Sequence, residues 1–184
     1  AVSGNIILTY DNQDEVIGNI TIDQSISEFE LFASMRNIVA AIEKDTGVQN
    51  QIADLGQDIS IRNLVFDNTS NLIYAVAPFD DNGPIEENRL YNINLTDGSF
   101  NYVNLQNEVY YELIMSSEGG LFASIGNIIV SIDKDTGVQN QITDLGQDIS
   151  ISSLVFDNTS NSIYAVAPFD DNGPVEENRL YNIN

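Results

Sequence analysis

The sequence predicts an all-β chain, a β-propeller-like array of four-stranded antiparallel blades of about 45 residues each, grouped as two near-identical two-blade modules. Two observations carry this. Shifting the chain on itself by roughly 90 positions superposes residues 31–94 on residues 121–184 with about 11 differences in 64. The apolar residues inside each copy alternate along short runs bounded by turn-forming residues, whereas the three-and-four spacing of an amphipathic helix is missing.

The differences between the copies are mostly conservative. Met35/Ile125, Val39/Ile129, Ala53/Thr143 and Ile85/Val175 keep the apolar pattern, so both copies are expected to fold alike. A weaker half-length repeat lies inside each copy. The segments starting at Asn127 and at Arg89 share an alternating strand that ends in a polar turn closed by Gly. This sets the unit at about 45 residues with four strands, the period of a propeller blade.

Within one unit the strands follow in order. Residues 151–156 form the first, and the turn Asp157-Asn158-Thr159-Ser160-Asn161 is rich in side chains that bond their own backbone. Residues 162–167 form the second strand, whose small, β-branched and aromatic residues suit an inner position. A long acidic loop from Pro168 leads to a third strand over 179–183. In the earlier copy the third strand continues through Thr96-Asp97-Gly98 into a fourth over 100–105. Residues 38–42 could be helical alone, but their twin 128–132 is β-branched at most positions, which favours a strand. The chain opens with strand pairs over 5–10 and 16–22.

The units expected are a partial blade over 1–22, blades over 23–57, 58–107 and 108–147, and a partial blade over 148–184. Two arrangements fit: one ring closed by strands from both ends, or a segment of a longer array. The second is favoured, because the first unit is short of a full opening strand and near-identical copies come in long runs.

Composition excludes several classes. Six Lys and Arg against 28 Asp and Glu give a formal charge of -22, which repels phosphate backbones and argues against nucleic acid as a partner. The chain has no Cys and no His, so thiolate nucleophiles, imidazole bases, disulfides and nearly all zinc or copper sites disappear together. No apolar run approaches the length of a membrane span, so direct membrane insertion is not expected.

The segment Ile132-Asp133-Lys134-Asp135-Thr136-Gly137 followed by Val138-Gln139-Asn140-Gln141-Ile142, echoed at 42–52, resembles propeller repeats of large secreted and surface-anchored, adhesin-like bacterial proteins. It looks like their third strand, Thr-Gly turn and fourth strand. The resemblance implies the fold and an extracellular or cell-surface location. Related propellers include lactonases, but no lactonase metal or catalytic set matches residue by residue.

Four kinds of candidate site remain. The loop Asp80, Asp81, Asn82 with Glu86, repeated at Asp170, Asp171, Asn172 with Glu176, offers several hard oxygens beside a glycine, as Ca²⁺ requires, although exposed turns use the same residues. The pairs Glu43/Asp45 and Asp133/Asp135 could hold a metal, but a hairpin turn with Gly at positive φ explains them better. Asn68, Asn158, Asn94 and Asn19 sit in Asn-x-Ser/Thr triplets that could accept glycans. Carboxylate pairs could in principle hydrolyse glycosides, yet duplicated acids read as surface, and Tyr110 with Tyr111 is the only adjacent aromatic pair.

The expected function is a non-enzymatic structural or adhesive repeat of an extracellular filament, adhesin or surface layer, stiffened by Ca²⁺, with no catalytic residues. Its partners would be a protein or glycan at a surface, or further copies of itself. The alternative is a propeller enzyme, or a carbohydrate or small-ligand binder, working in a central channel.

Overall fold

The structure is a computed structural model that describes residues 2–9, 15–22, 30–57, 59–79, 87–106, 112–146, 149–169 and 177–183. The chain divides into two compact units, Ala1–Asn104 and Leu105–Asn184. Among the described residues every element is a strand, and no helix is long and apolar enough to cross a membrane.

Unit 1 holds two sheets. The first runs β1 (Val2–Thr9), β2 (Glu15–Ile22), β3 (Glu30–Met35), β4 (Ile38–Glu43) and β5 (Gln49–Asp54), in that spatial order. Ile22 pairs with Leu31, so the strands expected as a partial blade over 1–22 continue the same sheet as those that follow. The second sheet runs β6 (Asn63–Asp67), β7 (Leu72–Phe79), β8 (Glu87–Asn94) and β9 (Phe100–Asn104). Unit 2 repeats the plan with β10 (Leu113–Met115), β11 (Leu121–Ile125), β12 (Ile128–Ile132) and β13 (Gln139–Asp144) in one sheet. Its other sheet holds β14 (Ser153–Asp157), β15 (Ser162–Phe169) and β16 (Glu177–Ile183). All pairings are antiparallel between chain neighbours, the meander that short turns permit.

The turns form where the sequence places backbone-bonding side chains. Asp67 Oδ1 accepts the Thr69 N–H at 2.9 Å and its hydroxyl at 2.6 Å, and Asn71 closes the turn at φ 57°. In the second copy Asp157 accepts the Thr159 N–H at 2.8 Å and the Ser160 hydroxyl at 2.7 Å, with Asn161 at φ 54°. The Lys-Asp-Thr-Gly turns carry Gly47 at φ 72° and Gly137 at φ 73°, the left-handed conformation that the hairpin reading requires. Copy fidelity extends to irregularities. The β4–β5 register shifts at Val39/Ala40 and the β12–β13 register at the equivalent Ile129/Val130.

Each unit buries side chains between its two sheets. In unit 1, Phe32, Val39 and Ala53 of the first sheet meet Leu64, Phe66, Ile73 and Tyr91 of the second. The Phe32 and Phe66 rings lie 5.3 Å apart. In unit 2, Ile114 and Ile129 meet Leu154, Ile163 and Ala165, and Phe122 stacks on Phe156 at 5.6 Å with 7° between the rings. β7 is flanked by strands on both sides, and Ile73 to Ala77 are buried on both its faces.

One glycine ties a turn to the neighbouring sheet. Gly98, at φ 70° in the β8–β9 turn, lies so close to the Ile52 backbone that an added Cβ would fall on its carbonyl oxygen. Gly47 has the same φ but open space around it. Gly98→Ala is therefore expected to lose about 2 kcal/mol or more of stability, against about 1 kcal/mol for Gly47→Ala. Urea midpoints of the two variants check this, and equal losses would contradict the close approach.

Candidate functional site

The acidic loops Asp80, Asp81, Asn82 with Glu86 and Asp170, Asp171, Asn172 with Glu176 lie outside the described residues, as do Tyr110 and Tyr111. Among the described residues, no three acidic side chains converge as a metal site. The triplet asparagines fall differently. Asn68 and Asn158 are exposed on turns, but the Asn158 side-chain oxygen accepts the Ser117 N–H at 2.8 Å. Asn94 is half-buried and its oxygen accepts the Thr96 N–H at 2.8 Å, which makes it part of a turn. Asn19 lies within β2, opposite Asn5.

The strongest interaction cluster in unit 1 centres on Arg89. Three strands converge there: β7 contributes Phe79, β8 contributes Arg89 with Glu87 and Tyr91, and β9 contributes Tyr102. The guanidinium carbon lies 3.6 Å from the Phe79 ring centre and 4.1 Å from that of Tyr102. Glu87 bonds its Nη2 at 3.0 Å. Burial is the largest single influence and works against the Arg89 charge, but Glu87, Tyr91 and Tyr102 together outweigh it and the net shift is upward. Burial also pushes the Tyr91 phenol up, opposed in part by the Arg89 charge. With its charge sandwiched between rings and paired, Arg89 is structural, because it has little surface left to offer a ligand.

Unit 2 contains a cleft of about 420 Å³ lined by Ser116, Glu118, Gly120, Phe122, Ile142, Phe156, Asn161, Ile163 and Ile183. The Phe122–Phe156 stack lines it together with three isoleucines and the polar Ser116, Glu118 and Asn161. The lining is local in origin. The Ser116 hydroxyl accepts the Gly120 N–H at 2.9 Å, bending the β10–β11 turn over one side. The bond from Ser117 N–H to Asn158 fixes that turn to the β14–β15 turn on the other sheet. An apolar floor with a few polar groups is the usual make-up of a ligand site. Sequence reading missed the cleft, since its residues come from five separated stretches. At its side Ile142, the single large apolar residue of β13, is 41% accessible.

Three exposed aspartates are tuned by their turns. Asp97 is held below its ordinary value by the Ser99 hydroxyl and backbone N–H. Asp133 is lowered by the Thr136 side chain and by the Thr136 and Asp135 N–H groups, and Asp157 by the Ser160 hydroxyl and the Thr159 N–H. These carboxylates are occupied as turn acceptors. Their chemistry is structural.

No protein-family model matches the chain, and no curated protein sequence does. Solved structures do. An oligogalacturonate lyase in complex with manganese matches 82% of this chain and 49% of its own, with 11% identity and a TM-score of 0.60. The Bacteroides ovatus xyloglucan PUL GH43B matches 89% of this chain and 38% of its own, at 11% identity and a TM-score of 0.56. The PQQ-bound aldose sugar dehydrogenase of Streptomyces coelicolor matches 82% and 60%, at 11% identity and a TM-score of 0.53. The chain thus spans about half the length of the lyase and less of the GH43B protein. At this identity the likeness establishes the fold alone: the chain is of the β-propeller class, all-β with four-stranded antiparallel sheets.

Two outcomes test the local assignments. Arg89→Ala is expected to cost about 2 kcal/mol through the lost stacking, whereas Arg179→Ala, at the exposed twin position, costs less than about 0.5 kcal/mol. Denaturant titration of both variants decides it, and equal losses would refute the sandwich as the cause. For the aspartates the folded values lie below the unfolded ones. Their contribution is present above the unfolded value and is lost as pH falls through the folded one, below about pH 4. A triple variant, Asp97→Ala with Asp133→Ala and Asp157→Ala, should show a shallower drop in urea midpoint between pH 5 and pH 2, on the order of half a unit of denaturant less. An unchanged slope would remove the turns from the acid response.

Proposed function

We propose that the chain is a non-enzymatic binding module on a β-propeller scaffold, taking a ligand with one apolar face and a polar rim in the cleft of unit 2. The cleft carries this reading: stacked Phe122 and Phe156 line it together with the polar Ser116, Glu118 and Asn161. The similar structures named above for acting on or binding oligogalacturonate, xyloglucan and aldose sugars support a saccharide as one class of ligand. The formal charge of -22 disfavours polyanions, so neutral oligosaccharides fit better than uronic ones.

A second reading has its own support. The copies share register, bulge and turns, as in an extracellular structural or adhesive repeat whose acidic loops bind Ca²⁺. Labelling of intact cells separates the two readings by location.

Calorimetry with neutral xyloglucan oligosaccharides and with oligogalacturonate tests the first. A neutral ligand is expected to bind with a Kd on the order of 0.1 mM, weakened at least tenfold by Ile142→Asp at the exposed edge of the cleft. Binding that Ile142→Asp leaves intact would place the site elsewhere.

A further inference from the structure

The second sheet of unit 1 ends on β9, which among the described residues pairs with β8 alone. β9 lies mid-chain, and the next strand, β10, pairs with β11 instead. The Asn94 N–H bonds the Ser99 carbonyl at 2.8 Å, and the register runs on through Ile93/Phe100, Asn92/Asn101 and Tyr91/Tyr102. Antiparallel pairs alternate between bonded and non-bonded, so the main-chain groups of Phe100, Tyr102 and Asn104 point away from β8, toward the unpaired edge.

Folded proteins usually blunt such an edge with charge, proline or a bulge. β9 uses none of these. Residues 98–107 carry no charge and no proline, in a chain of formal charge -22, and the β8–β9 register is unbroken. Its side chains favour strand pairing. Phe100 is 38% exposed and Tyr102 47%, and their spacing of two puts both rings on one face. The last strands of two other sheets differ on each count. β5 presents Gln49, Asn50 and Gln51, closes on Asp54 and is bulged against β4. β13 presents the same amides beside Ile142, closes on Asp144 and is bulged against β12.

Charge and symmetry name the partner. With 28 acids against six bases, a second copy of this chain is repelled from most of the surface, but not from an uncharged strip. The strip is also self-complementary. Laid antiparallel on itself about Tyr102, it sets Tyr102 against the second copy's Tyr102 and Phe100 against the second copy's Asn104, all positions whose main-chain groups face outward.

We infer that β9 pairs edge to edge with β9 of a second copy of this chain, joining two four-stranded sheets into one across a two-fold axis. Main-chain bonds at Phe100, Tyr102 and Asn104 hold the pair, and the exposed sides of the two Tyr102 rings cover each other. The contact is independent of the cleft in unit 2.

Sedimentation of the intact chain from about 1 μM to about 1 mM tests it. The 20.3 kDa monomer is expected to dimerise with a Kd on the order of 0.1 mM, as suits a small interface, and more tightly as salt screens the excess charge. Asn104→Pro removes one outward N–H and leaves the pairing with β8 in place. This variant and Asn101→Lys should each weaken the dimer at least tenfold, whereas Gln51→Lys, the same charge change on β5, leaves it unaltered. Hydrogen exchange reads the contact without any substitution: the Phe100 and Tyr102 amides should exchange about fivefold more slowly at about 1 mM than at about 1 μM. A chain that remains monomeric at about 1 mM overturns the inference. So does a dimer whose Phe100 and Tyr102 amides exchange at the dilute rate, or one that both β9 variants leave intact.

Discussion

Each unit depends on a single kind of contact, the apolar face of one twisted sheet laid against the next. A four-stranded meander alone has a face it cannot hide, and a lone sheet of this size is only marginally stable in water. Phe32 against Phe66, and Phe122 against Phe156, are the points where that problem is solved. Ile, Leu and Ala side chains around each ring pair fill the space between. The turns, bulges and capping aspartates then serve to deliver alternate residues to that seam in the right register.

Much of this was legible in the sequence for physical reasons. The small, β-branched and aromatic run in Leu72–Phe79 and Ser162–Phe169, and Asp-Asn-Thr-Ser turns that bond their own backbones, are local signals that short-range chemistry enforces. The twin at 128–132 resolved the helix-or-strand ambiguity of 38–42, since four β-branched residues in five favour an extended backbone. The self-match added redundancy, because a weak signal in one copy could be read in the other.

What escaped the sequence was non-local. The Arg89 sandwich needs Phe79 and Tyr102 from flanking strands, and nothing in the spacing of three residues across two loops announces that they meet. The cleft was harder still. Four of its residues, Phe122, Phe156, Ile163 and Ile183, are identical in type to core residues of the other copy, so those amino acids do not by themselves distinguish pocket from core. The acids that drew attention as metal ligands taught the reverse lesson: turn hydrogen bonds already use Glu43 and Asp133.

Sameness of the copies also shapes how the chain must fold. Two strands of nearly the same sequence, β8 and β16, are equivalent as pairing partners for Phe100–Asn104, and side-chain chemistry gives it little means to choose. Chain connectivity chooses instead. Closing the short turn onto β8 is favoured over spanning the long stretch to β16 by roughly 2 kcal/mol of loop entropy. The correct partner is therefore selected by proximity along the polymer, and the Gly98 turn that makes the short path passable is as much a device for sorting strands as for packing them.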